Sequence, residues 1–180
     1  MANEAARDMA SGRTVGILTI STMGAAGQRE DTSGDAIREL VEAEPLAAIV
    51  AERAIVPDDR EAIERTLRAW ADERHLDLIL TTGGTGLSPT DITPEATRAV
   101  LDREAPGIAE AMRAESLRHT PFGMLSRAIA GMRASTLIIN LPGSPKGVRE
   151  CLTAIMPALP HAVDIASARQ TGHGPASGQS

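Results

Sequence analysis

Residues 78–96 of this 180-residue chain read Leu-Ile-Leu-Thr-Thr-Gly-Gly-Thr-Gly-Leu-Ser-Pro-Thr-Asp-Ile-Thr-Pro-Glu-Ala. A strand of buried type meets a helix start through a loop almost free of side-chain bulk. Such a loop suits a phosphate: glycines let the backbone approach an anion, successive N–H groups form a concave nest, and the following helix brings the positive end of its dipole. Asp91 stands in the same loop, where an anionic ligand needs a cation beside it. Cradle and carboxylate together point to a magnesium nucleotide or a similar polyanion, because magnesium takes oxygen ligands and bridges carboxylates to phosphates.

Common nucleotide and hydrolase motifs fit this chain poorly. Gly83 to Pro89 lacks the Gly-Lys-Ser/Thr ending of a P-loop, and Gly84-Thr85-Gly86 is followed by Pro89 where a dinucleotide fingerprint needs glycine or alanine. Ser144 has Pro142 and Lys146 two positions away where a serine-hydrolase elbow carries glycines. His75, His119, His161 and His173 are scattered without metal-ligand spacing, and Cys151 is the only cysteine, so a zinc site is not expected.

The elements that must position the loop alternate between strand and helix. Thr14–Ile20, Leu76–Thr82 and Thr136–Asn140 read as buried strands, and Leu46–Val56 is extended in character. Helices are expected over Thr32–Glu44, over Asp58–Arg74, where Ile63, Leu67, Trp70 and Ala71 share one face, and over Pro106–Leu117. Thr93 with Pro94 and Glu95 reads as a cap, first-turn proline and first-turn acid opening another helix, and Ser144-Pro145 fits the same pattern. Val148, Leu152 and Ile155 recur at helical spacing, and Pro157 and Pro160 divide the C-terminal helical region. This alternation predicts an α/β domain, a mostly parallel sheet with helices on both faces. Ligands of such sheets collect beyond the carboxyl ends of the strands, the edge reached by the glycine-bearing loops after Ile20, Leu80 and Ile139.

Composition bounds the rest. With 42% hydrophobic residues the chain supports one domain with a substantial core, expected over residues 13–169, with flexible tails at 1–12 and 170–180. A net charge of -6 and only two aromatic side chains, Trp70 and Phe122, argue against general nucleic-acid binding. No apolar run approaches the roughly 18 residues of a membrane span, and residues 1–12 lack an apolar signal-peptide centre. One cysteine suits a reducing cytoplasm, the expected location.

Several motifs together resemble a known family. Thr81-Thr-Gly-Gly-Thr-Gly86, Pro89, Asp91, Thr93-Pro-Glu-Ala-Thr97, Met124-Leu-Ser-Arg127, Ile138-Ile-Asn-Leu-Pro-Gly-Ser-Pro-Lys146 and Pro157-Ala-Leu-Pro-His-Ala-Val-Asp164 are similar, in order and spacing, to the MogA/MoaB family. That family includes molybdopterin adenylyltransferases and the G domain of gephyrin. The resemblance implies a three-layer α/β/α, molybdopterin-binding-like fold and a homotrimer. It also implies magnesium-dependent transfer of AMP from ATP to the terminal phosphate of molybdopterin, with handover to a molybdenum-insertion protein. A non-catalytic molybdopterin carrier is the rival reading, and a trimeric scaffold module the next.

The same resemblance assigns residues. Asp58 and Asp91 match the two acidic positions expected to hold magnesium and serve catalysis. Asp58 also precedes a helix with Glu61 three residues on, a capping-box pattern, and Asp91 could close an Asx-turn. Thr82, Gly83, Gly84, Thr85 and Gly86 are implied to bind substrate, as are Ser126 and Arg127. Asn140, Pro142, Gly143, Ser144 and Lys146 are implied for the second loop; Lys146 is the only lysine among 18 basic residues. Ser21, Gly27, Asp31 and Gly34 are implied to meet the nucleotide. Thr22, Ala26 and Thr90 depart from the acidic and arginine residues common in the family, which removes charged contacts from the expected site.

Overall fold

The computed structural model describes residues 12–167, so the expected tails lie outside it apart from Gly12. Six strands, β1 (Thr14–Ile20), β2 (Ile49–Val56), β3 (Leu78–Thr82), β4 (Arg103–Glu104), β5 (Ala130–Arg133) and β6 (Thr136–Leu141), form one sheet in the order β2-β1-β3-β6-β5-β4. β2, β1, β3 and β6 run parallel, whereas β5 is antiparallel to β6 and β4 to β5. The helices are α1 (Thr22–Ala25), α2 (Thr32–Glu42), α3 (Arg60–Arg68), α4 (Thr93–Val100), α5 (Pro106–His119), α6 (Pro145–Ile155) and α7 (Leu159–Ala166). A π-helical turn, Ala69–Glu73, continues α3, and a 3-10 turn, Pro121–Leu125, follows α5.

Alternation along the central strands divides the core in two. Val15 and Ile17 of β1, Leu78 and Leu80 of β3, and Leu137 and Ile139 of β6 face α2, α5, α6 and α7, packing on Ile37, Val41, Met112, Leu152 and Val163. Leu18, Ile79 and Ile138 take the opposite face against Ile63, Leu67 and Trp70 of the α3 side and Ala96 and Val100 of α4. Both faces of β1, β3 and β6 are therefore covered, the three-layer α/β/α arrangement expected from the sequence.

Three details differ from expectation, each for a local reason. β2 begins at Ile49 rather than Leu46, because Ala43–Ala48 closes a turn in which Ala48 N–H donates to Val41 O at 2.8 Å. β4 and β5 are not legible in the sequence: at two and four residues they are too short to carry a period. Thr93 does not cap α4. Ile92 holds that position, and the Thr93 hydroxyl donates to Gly83 O at 2.9 Å, fastening the helix to the glycine loop.

Gly16 shows why one strand position must lack a side chain. A Cβ there would lie 2.6 Å from Trp70 Cε3, so the indole packs on bare backbone at the middle of β1. Gly16→Val should cost about 1–3 kcal/mol through overpacking. Urea denaturation measures this; an unchanged midpoint would mean that Trp70 moves aside at no cost.

Candidate functional site

The carboxyl ends of β1, β3 and β6 carry the three loops to one place. Gly83 adopts φ +101° and Gly84 φ +64°, and a Cβ on Gly83 would sit 2.3 Å from Ile20 O at the end of β1. Gly143 packs on Gly83, its missing Cβ 3.3 Å from the Gly83 Cα. Thr82 ties the same loops together, its hydroxyl donating to Pro142 O at 2.6 Å. Between the loops lies a cavity of about 510 Å³, lined in part by Ser21, Asp31, Asp58, Gly83, Gly84 and Ser144.

Its wall offers donors. The N–H groups of Gly84, Thr85 and Gly86 in one loop, and of Gly143 and Ser144 in the other, have no hydrogen-bond partner among the described residues. Gly84, Gly143 and Ser144 line the cavity. Ser144 also caps α6, accepting from Gly147 N at 3.1 Å, and Pro145 occupies the first turn, so the helix opens at the cavity with the positive end of its dipole. Among the described residues, Arg29 is the only basic side chain in the lining.

Two carboxylates share this wall in different states. Asp31 is fully engaged: Oδ1 accepts from Thr19 Oγ1 and Gly34 N, each at 2.9 Å, and Oδ2 pairs with Arg53 Nη2 at 2.8 Å. Asp58 makes no ion pair among the described residues. Its Oδ2 accepts from Thr22 N at 3.0 Å and Thr22 Oγ1 at 2.7 Å, and its own N–H donates to Thr22 Oγ1 at 3.1 Å. The capping box expected at Asp58 is not formed; Asp59 caps α3, accepting from Ala62 N at 2.8 Å.

Asp91 does not line the cavity but sits in the loop that does. Its Oδ2 accepts from Ser88 N at 2.8 Å, three residues back, so the Asx-turn left open by the sequence, which would run two residues forward, is not formed, and a Cβ on Gly86 would approach that oxygen to 2.9 Å. Arg127 is spent on the same loop. Its Nε donates to Gly86 O at 2.7 Å, Nη2 to Asp91 O, and Nη1 to Glu95, while its N–H donates to Thr85 O at 2.9 Å. Arg127 thus holds the cradle in shape and is not a free cation. Ser126 accepts weakly from Ala128 N at 3.3 Å, outside the cavity lining.

Other expected site residues are placed differently. Asn140 is fully buried, its amide donating to Thr81 Oγ1 at 3.0 Å and Thr97 Oγ1 at 2.9 Å and accepting from Ile129 N at 3.4 Å, so it braces β6 against β3 and α4 and lies outside the cavity lining. Gly27 turns the chain at φ +71° with open space about it, and Gly34 lies within α2 under the Asp31 carboxylate; neither lines the cavity. Lys146 is 83% exposed, its ammonium 3.8 Å from Glu150, outside the lining. Met23 and Ile55, which do line it, carried no sequence signal, and Thr22, singled out only as a departure from the family's charged residues, lines it too, because their neighbours come from across β1 and β2.

An open, mostly parallel sheet whose strand ends present an N–H cradle beside carboxylates defines an α/β domain for phosphate-bearing ligands. Comparison narrows the class. The family described as a probable molybdopterin binding domain matches residues 16–161. The molybdopterin adenylyltransferase of Helicobacter pylori strain J99 is 46% identical over 151 residues, 84% of this chain and 86% of the relative. That of Escherichia coli K12 is 40% identical, over 80% of this chain and 74% of its own length. The crystal structure of the molybdopterin biosynthesis enzyme MoaB from Thermus thermophilus matches with a TM-score of 0.82 at 55% identity, covering 87% of this chain and 97% of that one. The chain belongs to the MogA/MoaB family of molybdopterin-binding domains.

Burial pushes the Glu95 carboxyl up, but the hydrogen bond from Arg127, its own backbone and the charges of Arg127 and Arg98 outweigh this and hold it below the usual glutamate range. Stability from this ionised pair is therefore complete above about pH 4.3 and is lost as pH falls through the lower folded value. Glu95 is partly exposed, so the pair contributes less than about 1 kcal/mol. Glu95→Gln should lower the urea midpoint slightly at pH 7, and the gap from the unsubstituted protein should close on acidification. A gap that widens in acid would show that Glu95 acts in its neutral form.

Proposed function

We propose that this protein is a molybdopterin adenylyltransferase of molybdenum cofactor biosynthesis, transferring AMP from ATP to the terminal phosphate of molybdopterin and releasing pyrophosphate. The observation that carries the reading is the convergence of two glycine loops, the α6 start and Asp58 on one cavity, in a chain whose relatives bear that name. Its volume of about 510 Å³ falls in the range of small-molecule sites.

A terminal phosphate oxygen of the pterin attacks the α-phosphorus of ATP. The new P–O bond forms as the bond to the bridging oxygen between α- and β-phosphorus breaks, and the electron pair leaves with pyrophosphate. An anionic nucleophile needs no activated serine or cysteine; the task is to bring two polyanions together and hold them in line. The unpartnered N–H groups of Gly84, Gly143 and Ser144 face that task without reorganising, since the loops that carry them are already locked by Thr82, Thr93 and Arg127.

The oxygen donors fit a magnesium ion, which in proteins commonly takes one or two carboxylates and completes its shell with substrate phosphates and water. Among the described residues no group of three or more His, Cys, Asp or Glu side chains forms a closed cage, so phosphates would supply much of the shell. Asp58 and Asp91 would hold the ion, which when bound neutralises charge on the α-phosphate and the departing pyrophosphate.

Incubation with molybdopterin and magnesium ATP should yield pterin-linked AMP and pyrophosphate, resolved by mass spectrometry. Binding of pterin with no adduct would identify a carrier instead. Asp58→Asn and Asp91→Asn should each keep stability within about 0.5 kcal/mol, because the amide oxygen still accepts from Thr22 or Ser88 and the α3 cap is Asp59. Adenylyl transfer should fall at least about tenfold in both. Near-normal turnover of Asp91→Asn at saturating magnesium ATP removes that carboxylate from the mechanism.

The protein acts as a homotrimer in this reading, in the cytoplasm, and passes its product to a molybdenum-insertion protein. Support for self-association comes from Leu117, Phe122, Met124 and Leu125, large apolar side chains exposed together on the end of α5 and the following turn. No helix among the described residues is long and apolar enough to cross a membrane. Sedimentation equilibrium should give a trimer at micromolar concentration, and Phe122→Glu should weaken it; a stable monomer rejects the assembly.

A further inference from the structure

Asp58 lies on a loop, and a carboxylate there turns freely about two side-chain bonds unless something holds it. Thr22 does so through a reciprocal clasp. Ser21 N–H donates to Val56 O at 2.9 Å, carrying the β1–β2 ladder one step past the strand ends, and Thr22 and Asp58 stand as the next pair. Both Thr22 donors, amide at 3.0 Å and hydroxyl at 2.7 Å, meet the same oxygen, Oδ2. The hydroxyl oxygen in turn accepts the Asp58 N–H at 3.1 Å. Oδ1 has no partner among the described residues, and both residues line the cavity.

We propose that Thr22 is a positioning residue for Asp58, fixing one carboxylate oxygen so that the other is held toward the cavity at a set angle. The proposal rests on the adenylyl-transfer reading and adds a residue to it. A threonine whose only work was to tie two loops would satisfy its hydroxyl on backbone; this one places both of its donors on a carboxylate that has no other partner among the described residues. Misplacement of a group in line with the reacting phosphates lowers the rate more than it lowers affinity, because the geometry matters most in the transition state.

Thr22→Val keeps the side-chain shape and removes the hydroxyl. It should lower kcat about tenfold while the KM values for ATP and molybdopterin stay within about twofold, and Thr22→Ser should recover most of the loss. In an Asp58→Asn background the same substitution should add no more than about a further twofold, the non-additivity of two residues acting as a unit. Amide exchange at Asp58 should quicken in Thr22→Val and not in Thr22→Ser. Full activity of Thr22→Val, or a loss that multiplies unchanged onto Asp58→Asn, overturns the positioning role. If the unsubstituted chain forms no pterin-linked AMP, the adenylyl-transfer reading fails, and the clasp then stands or falls on the exchange result alone.

Discussion

The site depends on a close approach that only glycine permits. At the end of β3 the chain passes so near the end of β1 that a methyl group on Gly83 would lie 2.3 Å from Ile20 O, and on its other side the β6 loop comes in over Gly83 through Gly143. Three loops thereby meet in less room than any side chain would leave. Their convergence strips the loop N–H groups of internal partners and leaves them as donors along a shared wall. The strand order places these ends side by side, since β1, β3 and β6 are adjacent and parallel. The ligand edge expected of an open sheet thus acquires its chemistry from backbone geometry before any side chain contributes.

Charge is then distributed with economy. The lining holds Arg29, Glu30, Asp31 and Asp58, a poor field for two polyanions taken at face value. Arg53 offsets Asp31, whose carboxylate is used up in capping α2 and bonding Thr19, so it shapes the wall and adds little net charge. Asp58 has no cationic partner among the described residues, which is consistent with the magnesium role proposed for it. Arg127, by contrast, joins Gly86 O, Asp91 O and Glu95 and makes one rigid unit of the glycine loop and the start of α4. Five donors in a fixed fork serve that purpose in a way a lysine would not.

Asn140 shows how polar residues of a family motif can serve the ligand at one remove. Buried on the α4 side of β6, it satisfies its amide on Thr81 and Thr97, and these bonds align the two strands whose loops form the cradle. A buried amide left without those partners would be costly, which ties the residue type at 140 to the threonines at 81 and 97.

Much of this was determined by the sequence alone, and the reason is locality. The glycine-rich turn after Thr82, the Ser144-Pro145 cap, the helical face of Ile63, Leu67 and Trp70, and the apolar strands read at 14–20, 76–82 and 136–140 each depend on residues a few positions apart. Backbone preference and periodicity fixed them, and the order of elements implied a parallel sheet with its loops at one edge. Partnership across the sheet was not local. Thr22, read as a lost charge, holds Asp58 from 36 positions away, and Arg127, read as a substrate cation, is consumed by Gly86 at a separation of 41. The cap that the local pattern offered to Asp58 is made instead by Asp59, while Asp58 turns its Oδ2 to Thr22. Which oxygen is held, which cation is free and which amide is buried are set by the adjacency of β1 with β2 and of β3 with β6, and only the folded chain brings those strands together.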